Sequence, residues 1–157
     1  MEKKEREKIK KVAFQMAEKA FRADEVPVGA VIFNSETGEI IAKAYNKTEQ
    51  KKDVLTHAEM LAIHMASKKL RHKFLDGYSM YVTLEHCVMC ACAIRWARLD
   101  ALYYGAADPK TGALRQGAKV FQRPQTHHKP KTQLISYPEC GKIMSRFFKT
   151  KRLSKKV

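Results

Sequence analysis

The stretch Met80-Tyr81-Val82-Thr83-Leu84-Glu85-His86-Cys87-Val88-Met89-Cys90-Ala91-Cys92-Ala93-Ile94-Arg95-Trp96-Ala97-Arg98 decides how the chain is read. Met80 to Leu84, following Gly77, is an apolar run of strand character. Cys87 to Arg98 contains neither Gly nor Pro and is rich in Ala, which predicts a helix directly after that strand. Thiols at i and i+3 lie on one helix face about a turn apart, so both sulfurs reach one ion at the roughly 2.3 Å of a zinc–thiolate bond. The unpaired N–H groups and positive dipole end of a helix start favour thiolate over thiol.

Upstream, His57 to Leu70 is a second segment without breakers, predicted as a helix with Thr56 as its N-cap. It opens with His57-Ala58-Glu59. A histidine there completes three ligands with Cys87 and Cys90, and three protein ligands leave the fourth tetrahedral position open, as catalytic rather than structural zinc requires. Glu59 is placed to take the proton of a water whose pKa falls towards about 7 on zinc. Either half alone carries little, because a lone histidine at a helix start is commonly a capping or core residue and a lone Cys-x-x-Cys is commonly redox or structural. Their conjunction, each half at a helix start, is specific.

Further outward, Ile9, Val12, Ala13, Met16, Ala17, Ala20 and Phe21 form the stripe of an amphipathic first helix. Val28 to Phe33 and Glu39 to Tyr45, separated by a turn-like Asn34 to Gly38, predict a hairpin. Ala101 to Ala106 and Thr132 to Ser136 complete five strands, and Ser136 with Glu139 reads as a capping box before a basic last helix. Residues 110–131 read as mostly loop with one short helix. Strands alternating with helices predict a layered α/β sheet in one domain over residues 1–157, with a basic C-terminal helix and tail at about 138–157.

Cys87, Cys90 and Cys92 crowd together, a spacing that suits thiolate ligation better than disulfides and points to a reducing, cytoplasmic setting. A charged start and the lack of a long apolar run predict a soluble protein with no membrane span. The net charge is +15, and it is uneven. Residues 1–109 carry 18 Lys and Arg against 15 Asp and Glu; residues 110–157 carry 13 against the single Glu139. Clustered cations of this kind favour a polyanion partner, nucleic acid ahead of a merely solvated tail.

H-x-E followed by C-x-x-C is the pattern of the cytidine-deaminase-like zinc deaminases. Within them the chain resembles the bacterial tRNA-specific adenosine deaminases over nearly its whole length. The matching stretches are Glu25 to Val31, Tyr45-Asn46, His57 to Glu59, Tyr81 to Glu85, Cys87 to Ala93, Tyr104 to Ala106, Asp108 to Gly112 and Phe147-Phe148. The resemblance implies a three-layer α/β/α cytidine-deaminase-like fold with a mixed five-stranded sheet, and a homodimer with one zinc per subunit held by His57, Cys87 and Cys90. The reaction it implies is deamination of adenosine to inosine at the wobble position of a tRNA anticodon, with Glu59 shuttling protons. By the same resemblance Asn46 contacts the target base or its ribose, Val28 lines the pocket, the backbone around Ala58 and Leu84 contacts the base edge, and Asp108 and Lys110 meet the anticodon loop. Phe147 and Phe148 fall at the RNA-binding end, one expected to pack and one to stack.

The chain departs from the family at His86, where the family has proline. His86 reads as a bystander, as a perturbation of the pocket, or as a fourth ligand that would close the zinc site. The family's Asn-His-Arg appears here as His127-His128-Lys129, and Ala113 to Thr126 matches poorly. Two rivals stand beside the tRNA reading: a deaminase of free guanine or of a cytosine nucleotide, and a catalytically silent, zinc-stabilised RNA-binding subunit. His64, His72, Cys92 and Cys140 take ordinary structural readings, with Cys92 expected to be buried.

Overall fold

A computed structural model describes residues 1–108, 110, 112, 119–124 and 127–155. The hairpin forms as β1 (Gly29–Asn34) and β2 (Ile40–Tyr45), paired antiparallel. Its turn is fixed by Asn34, whose Oδ1 accepts from the N–H groups of Glu36 and Thr37, and by Gly38 at a φ of 77°. β3 (Tyr78–Val82) pairs antiparallel with β1, while β4 (Ala101–Tyr104) and β5 (Lys131–Leu134) continue parallel. The mixed sheet has the order β2-β1-β3-β4-β5.

β1 alternates between two cores, as a strand covered on both faces must. Ala30 and Ile32 pack with Ala58, Ala62, Ala66 and Ile94, from α3 (Ala58–Leu70) and α4 (Val88–Trp96). Val31 and Phe33 pack with Ile9 and Ala13 of α1 (Lys3–Arg22). α5 (Pro138–Ser154) lies against α1, with Phe147 edge-on to Phe21 at 6.1 Å. The three layers expected from the sequence are all present. Gly29 brings β1 under α1: a Cβ there would collide with the carbonyl oxygen of Ala13 and lie 2.7 Å from the amide nitrogen of Ala17.

Several local expectations are corrected. Thr56 does not cap α3; its Oγ1 bonds the Asp53 carbonyl at 2.7 Å, and His57 itself stands at the N-cap with extended backbone. Cys87 likewise precedes α4 as its N-cap. The capping box at Ser136 does not form, because α5 begins on Pro138 with no side-chain cap; proline suits a first helical position, having no N–H to satisfy. β5 starts at Lys131 and ends at Leu134, all four residues exposed, since its register comes from β4 and not from an apolar face of its own. A short helix not foreseen, α2 (Thr48–Lys51), follows β2. The short helix expected within 110–131 is a 3₁₀ turn at Val120–Gln122, and 113–118 lie outside the described residues. Cys140 is buried as expected, whereas Cys92 is half-buried. Among the described residues no helix is long and apolar enough to cross a membrane.

Candidate active site

β1 runs antiparallel to β3, so the start of β1 meets the ends of β2, β3 and β4 at one edge of the sheet. A cavity of about 830 Å³ opens there. Open α/β sheets bind ligands in the crevice outside the carboxyl ends of their strands, here those of β2, β3 and β4. Its floor is formed by the first residues of α3 and α4, and its far wall by Gly141, Met144, Ser145 and Phe148 of α5.

His57, Cys87 and Cys90 converge on the floor, their donor atoms all within 4.8 Å of one another. Nδ1 of His57 is 3.5 Å from Sγ of Cys90 and 3.7 Å from Sγ of Cys87. Bonds of roughly 2.1 Å to nitrogen and 2.3 Å to sulfur place neighbouring donors of a tetrahedron about 3.6 Å apart. The nitrogen–sulfur spacing and the donor types therefore fit a tetrahedral metal ion.

The electrostatics point the same way. A hydrogen bond from the Cys90 thiol, together with one from His57, lowers the Cys87 thiol to about 3, while Cys90 is pushed up because it keeps the shared proton. His57 is raised, chiefly by its hydrogen bond to Cys87. Two adjacent sulfurs thus hold one negative charge, and a dication is what lets both ionise. Burial raises the Glu59 carboxyl to about 7, with the Cys87 thiolate adding to the shift and the helix N–H opposing it. A carboxyl poised there accepts and returns protons near neutral pH.

His86 is 1 % exposed, and among the described residues neither ring nitrogen has a partner. Burial lowers it to about 4, so the ring is neutral, and it lies against Phe121 at 6.3 Å. Its nitrogens are outside the converging His57–Cys87–Cys90 group.

Val28, Asn46, Ala58, Leu84, Asp108 and Lys110 all line the cavity. The two phenylalanines separate: Phe148 lines it and is 45 % exposed, whereas Phe147 is buried in the α1–α5 contact and does not. Of the pair carried over as substrate-binding, with one expected to pack and one to stack, Phe147 is thus the one that packs, since its helix face is the one that must cover α1, and it drops out of the substrate-facing set. Lys151, Arg152 and Lys155 add to the rim, with Lys151 paired to Asp24 at 2.7 Å. His127 and His128 are turned elsewhere, to the Trp96 ring at 4.6 Å and the Leu99 carbonyl at 2.7 Å.

Glu25 and Glu85 were not singled out from the sequence, yet both are buried beside the site. Glu85 Oε2 accepts from the Asp108 N–H at 3.1 Å. Glu25 bonds Asn46 and the start of α2. Glu25 opens, and Glu85 closes, a stretch that matches the family, and Glu25 carries a second signal as an acid just past a helix C-terminus, where the dipole disfavours negative charge.

Residues 4–152 match the family model of the MafB19-like deaminases. The chain is similar to a tRNA-specific adenosine deaminase of Agrobacterium fabrum, 43% identical over 95% of this chain and 97% of that one. It is also similar to one of Aquifex aeolicus, 41% identical over 90% and 93% of the two chains. A solved structure from studies of A-to-I editing by tRNA:A34 deaminases at the wobble position of transfer RNA superposes with a TM-score of 0.79. It is 44% identical and covers 83% of this chain and 98% of that one. A guanine deaminase from Nitrosomonas europaea, at a TM-score of 0.72 and 21% identity over 88% and 82% of the two chains, shares the fold.

Proposed function

The chain belongs to the tRNA-specific adenosine deaminases, and on that premise we propose that it converts adenosine to inosine at the wobble position of a tRNA anticodon, in the cavity above His57, Glu59, Cys87 and Cys90. One observation carries the assignment of the site: three metal-type donors converge beside a buried carboxyl poised at about 7, in a cavity rimmed by cations. Nδ1 of His57 and the sulfurs of Cys87 and Cys90 hold one zinc ion per subunit. When bound, zinc supplies Lewis acidity that makes water a nucleophile near neutral pH.

Glu59 takes the proton of the attacking water and passes protons to the ring and the departing amine. A C6–oxygen bond forms, the C6–nitrogen bond breaks, and ammonia leaves. Asn46, Val28, Ala58 and Leu84 hold the flipped nucleoside. Asp108, Lys110, Phe148 and the α5 cations meet the anticodon loop, by stacking and by phosphate contacts. His86 is a neutral wall residue and not a ligand. Residues 1–157 work as one deaminase domain, in the cytoplasm with the substrate. Exposed Val54, Leu55, Met65, Val88 and Trp96, on and before two helices packed on the same sheet face, support a homodimer through that side.

The test compares inosine formation on an anticodon stem-loop with ammonia release from free adenosine, guanine and cytidine, with zinc content measured alongside. Activity on the stem-loop alone is expected; activity on the free compounds alone, or zinc bound with no activity, overturns the reading.

A further inference from the structure

Glu25 is 1 % exposed and lies outside the cavity lining. Its Oε1 accepts from the Gln50 N–H at 2.6 Å, and its Oε2 from the Glu49 N–H at 3.2 Å and from Asn46 Nδ2 at 3.3 Å. The Glu25 N–H is itself anchored on the Ala20 carbonyl at 2.9 Å, and the Asn46 N–H on the Val28 carbonyl at 3.1 Å. The carboxylate therefore ties the end of α1, the end of β2 and the start of α2 together.

An amide beside a carboxylate must turn its NH₂ towards it and its oxygen away. Among the described residues Asn46 Oδ1 is accordingly left buried with no partner, on a residue that lines the cavity. A buried acceptor of this kind bears a desolvation cost that a donor on a bound ligand removes.

We propose that Glu25 is a positioning residue: it fixes Asn46 with its acceptor towards the target nucleotide, where that acceptor reads the ribose 2′-hydroxyl. The proposal rests on the RNA adenosine reading above. An adenosine inside a polynucleotide offers two donors, the N6 amine and the 2′-hydroxyl, because N1, N3, N7 and the phosphates only accept. The amine is the leaving group and belongs over Glu59 and the metal donors. The hydroxyl is the donor left for Asn46.

The test uses the full-length zinc-loaded protein and two anticodon stem-loops that differ only in adenosine or 2′-deoxyadenosine at the wobble position. Values of kcat and KM are measured for wild type, Glu25→Gln and Glu25→Asp, with zinc content and Tm. Wild type should prefer the ribose by about tenfold or more in kcat/KM, the scale of one hydrogen bond. Glu25→Gln sets an NH₂ against the Asn46 NH₂ or the α2 donors, so the preference should shrink several-fold, mainly by loss on the ribose substrate, with zinc retained. Glu25→Asp keeps the carboxylate and should restore part of it. An equal loss on both substrates means that Glu25 only supports the loop, and overturns the proposal. If Glu25→Gln loses its fold or zinc, Asn46→Ala decides instead: the preference must collapse there, and an unchanged ratio refutes it. No inosine from wild type on the ribose stem-loop overturns the functional reading itself, an outcome distinct from inosine formed at an unaltered ratio.

Discussion

His57, Glu59, Cys87 and Cys90 lie at the first residues of α3 and α4, buried or half-buried, with three donors within 4.8 Å. Across the cavity, Phe148 and Arg152 on the later turns of α5 and Lys155 at its C-cap are all exposed. The floor is short-range: its groups reset one another's protons through direct hydrogen bonds. The rim is long-range: its charges act through a field that salt screens. On the proposed function, chemistry and RNA capture are carried by separate elements, and variants should separate them too.

The largest effect belongs to the floor. Glu59→Gln should lower kcat on the stem-loop by about 10²–10⁴-fold, with zinc content and KM close to wild type. An equal rise in KM would blur the division between floor and rim.

The same residue has a smaller signature in the metal-free protein. Its carboxyl stands at about 7 in the fold against 4.5 for the ordinary group. Below about 4.5 both folded and unfolded chains carry the proton. Between those values the unfolded chain releases it and the fold does not, so stability falls as pH rises, by about 1.4 kcal/mol per pH unit. Metal-free wild type should lose Tm relative to Glu59→Gln across that interval, and parallel Tm curves would refute the buried acid.

Adjacent phenylalanines divide the rim helix itself. Phe147→Ala should cost about 3–5 kcal/mol of stability, because the ring fills the α1–α5 contact. Phe148→Ala should leave Tm unchanged and raise the stem-loop KM about tenfold, the scale of one lost stacking contact. The reverse pattern would mean that α5 presents its other face.

The smallest effect is on the rim charges. Arg152→Ala and Lys155→Ala should each raise KM only a few-fold at moderate salt. Each should also flatten the dependence of log KM on log salt by about 0.7, as expected for one phosphate on a single strand. An unaltered slope would remove that residue from the RNA path.

The floor was legible in the sequence because its information is local. Cys87-x-x-Cys90 and His57-x-Glu59 each define a helix start, and the apolar runs feeding them become β3 and the hairpin. What escaped was set by contacts distant in the chain. Glu25 reads as one more acid in a charged turn, and only the fold brings it to Asn46 and α2. Thr56 and Ser136 satisfied a capping rule that His57 and Pro138 pre-empted. β5 has no apolar alternation to read, because β4 supplies its register. Phe147 and Phe148 could be assigned one to packing and one to exposure, but not in which order, until α1 was in place.

Gly29 gives the two halves of the cavity a common mechanical pivot. Its missing side chain lets α1 rest backbone to backbone on β1, and α1 in turn bears α5 through Phe21 and Phe147. A single added methyl would lift α1 like a wedge and swing the rim away from the floor, changing the width of the cavity mouth without altering any residue that faces it.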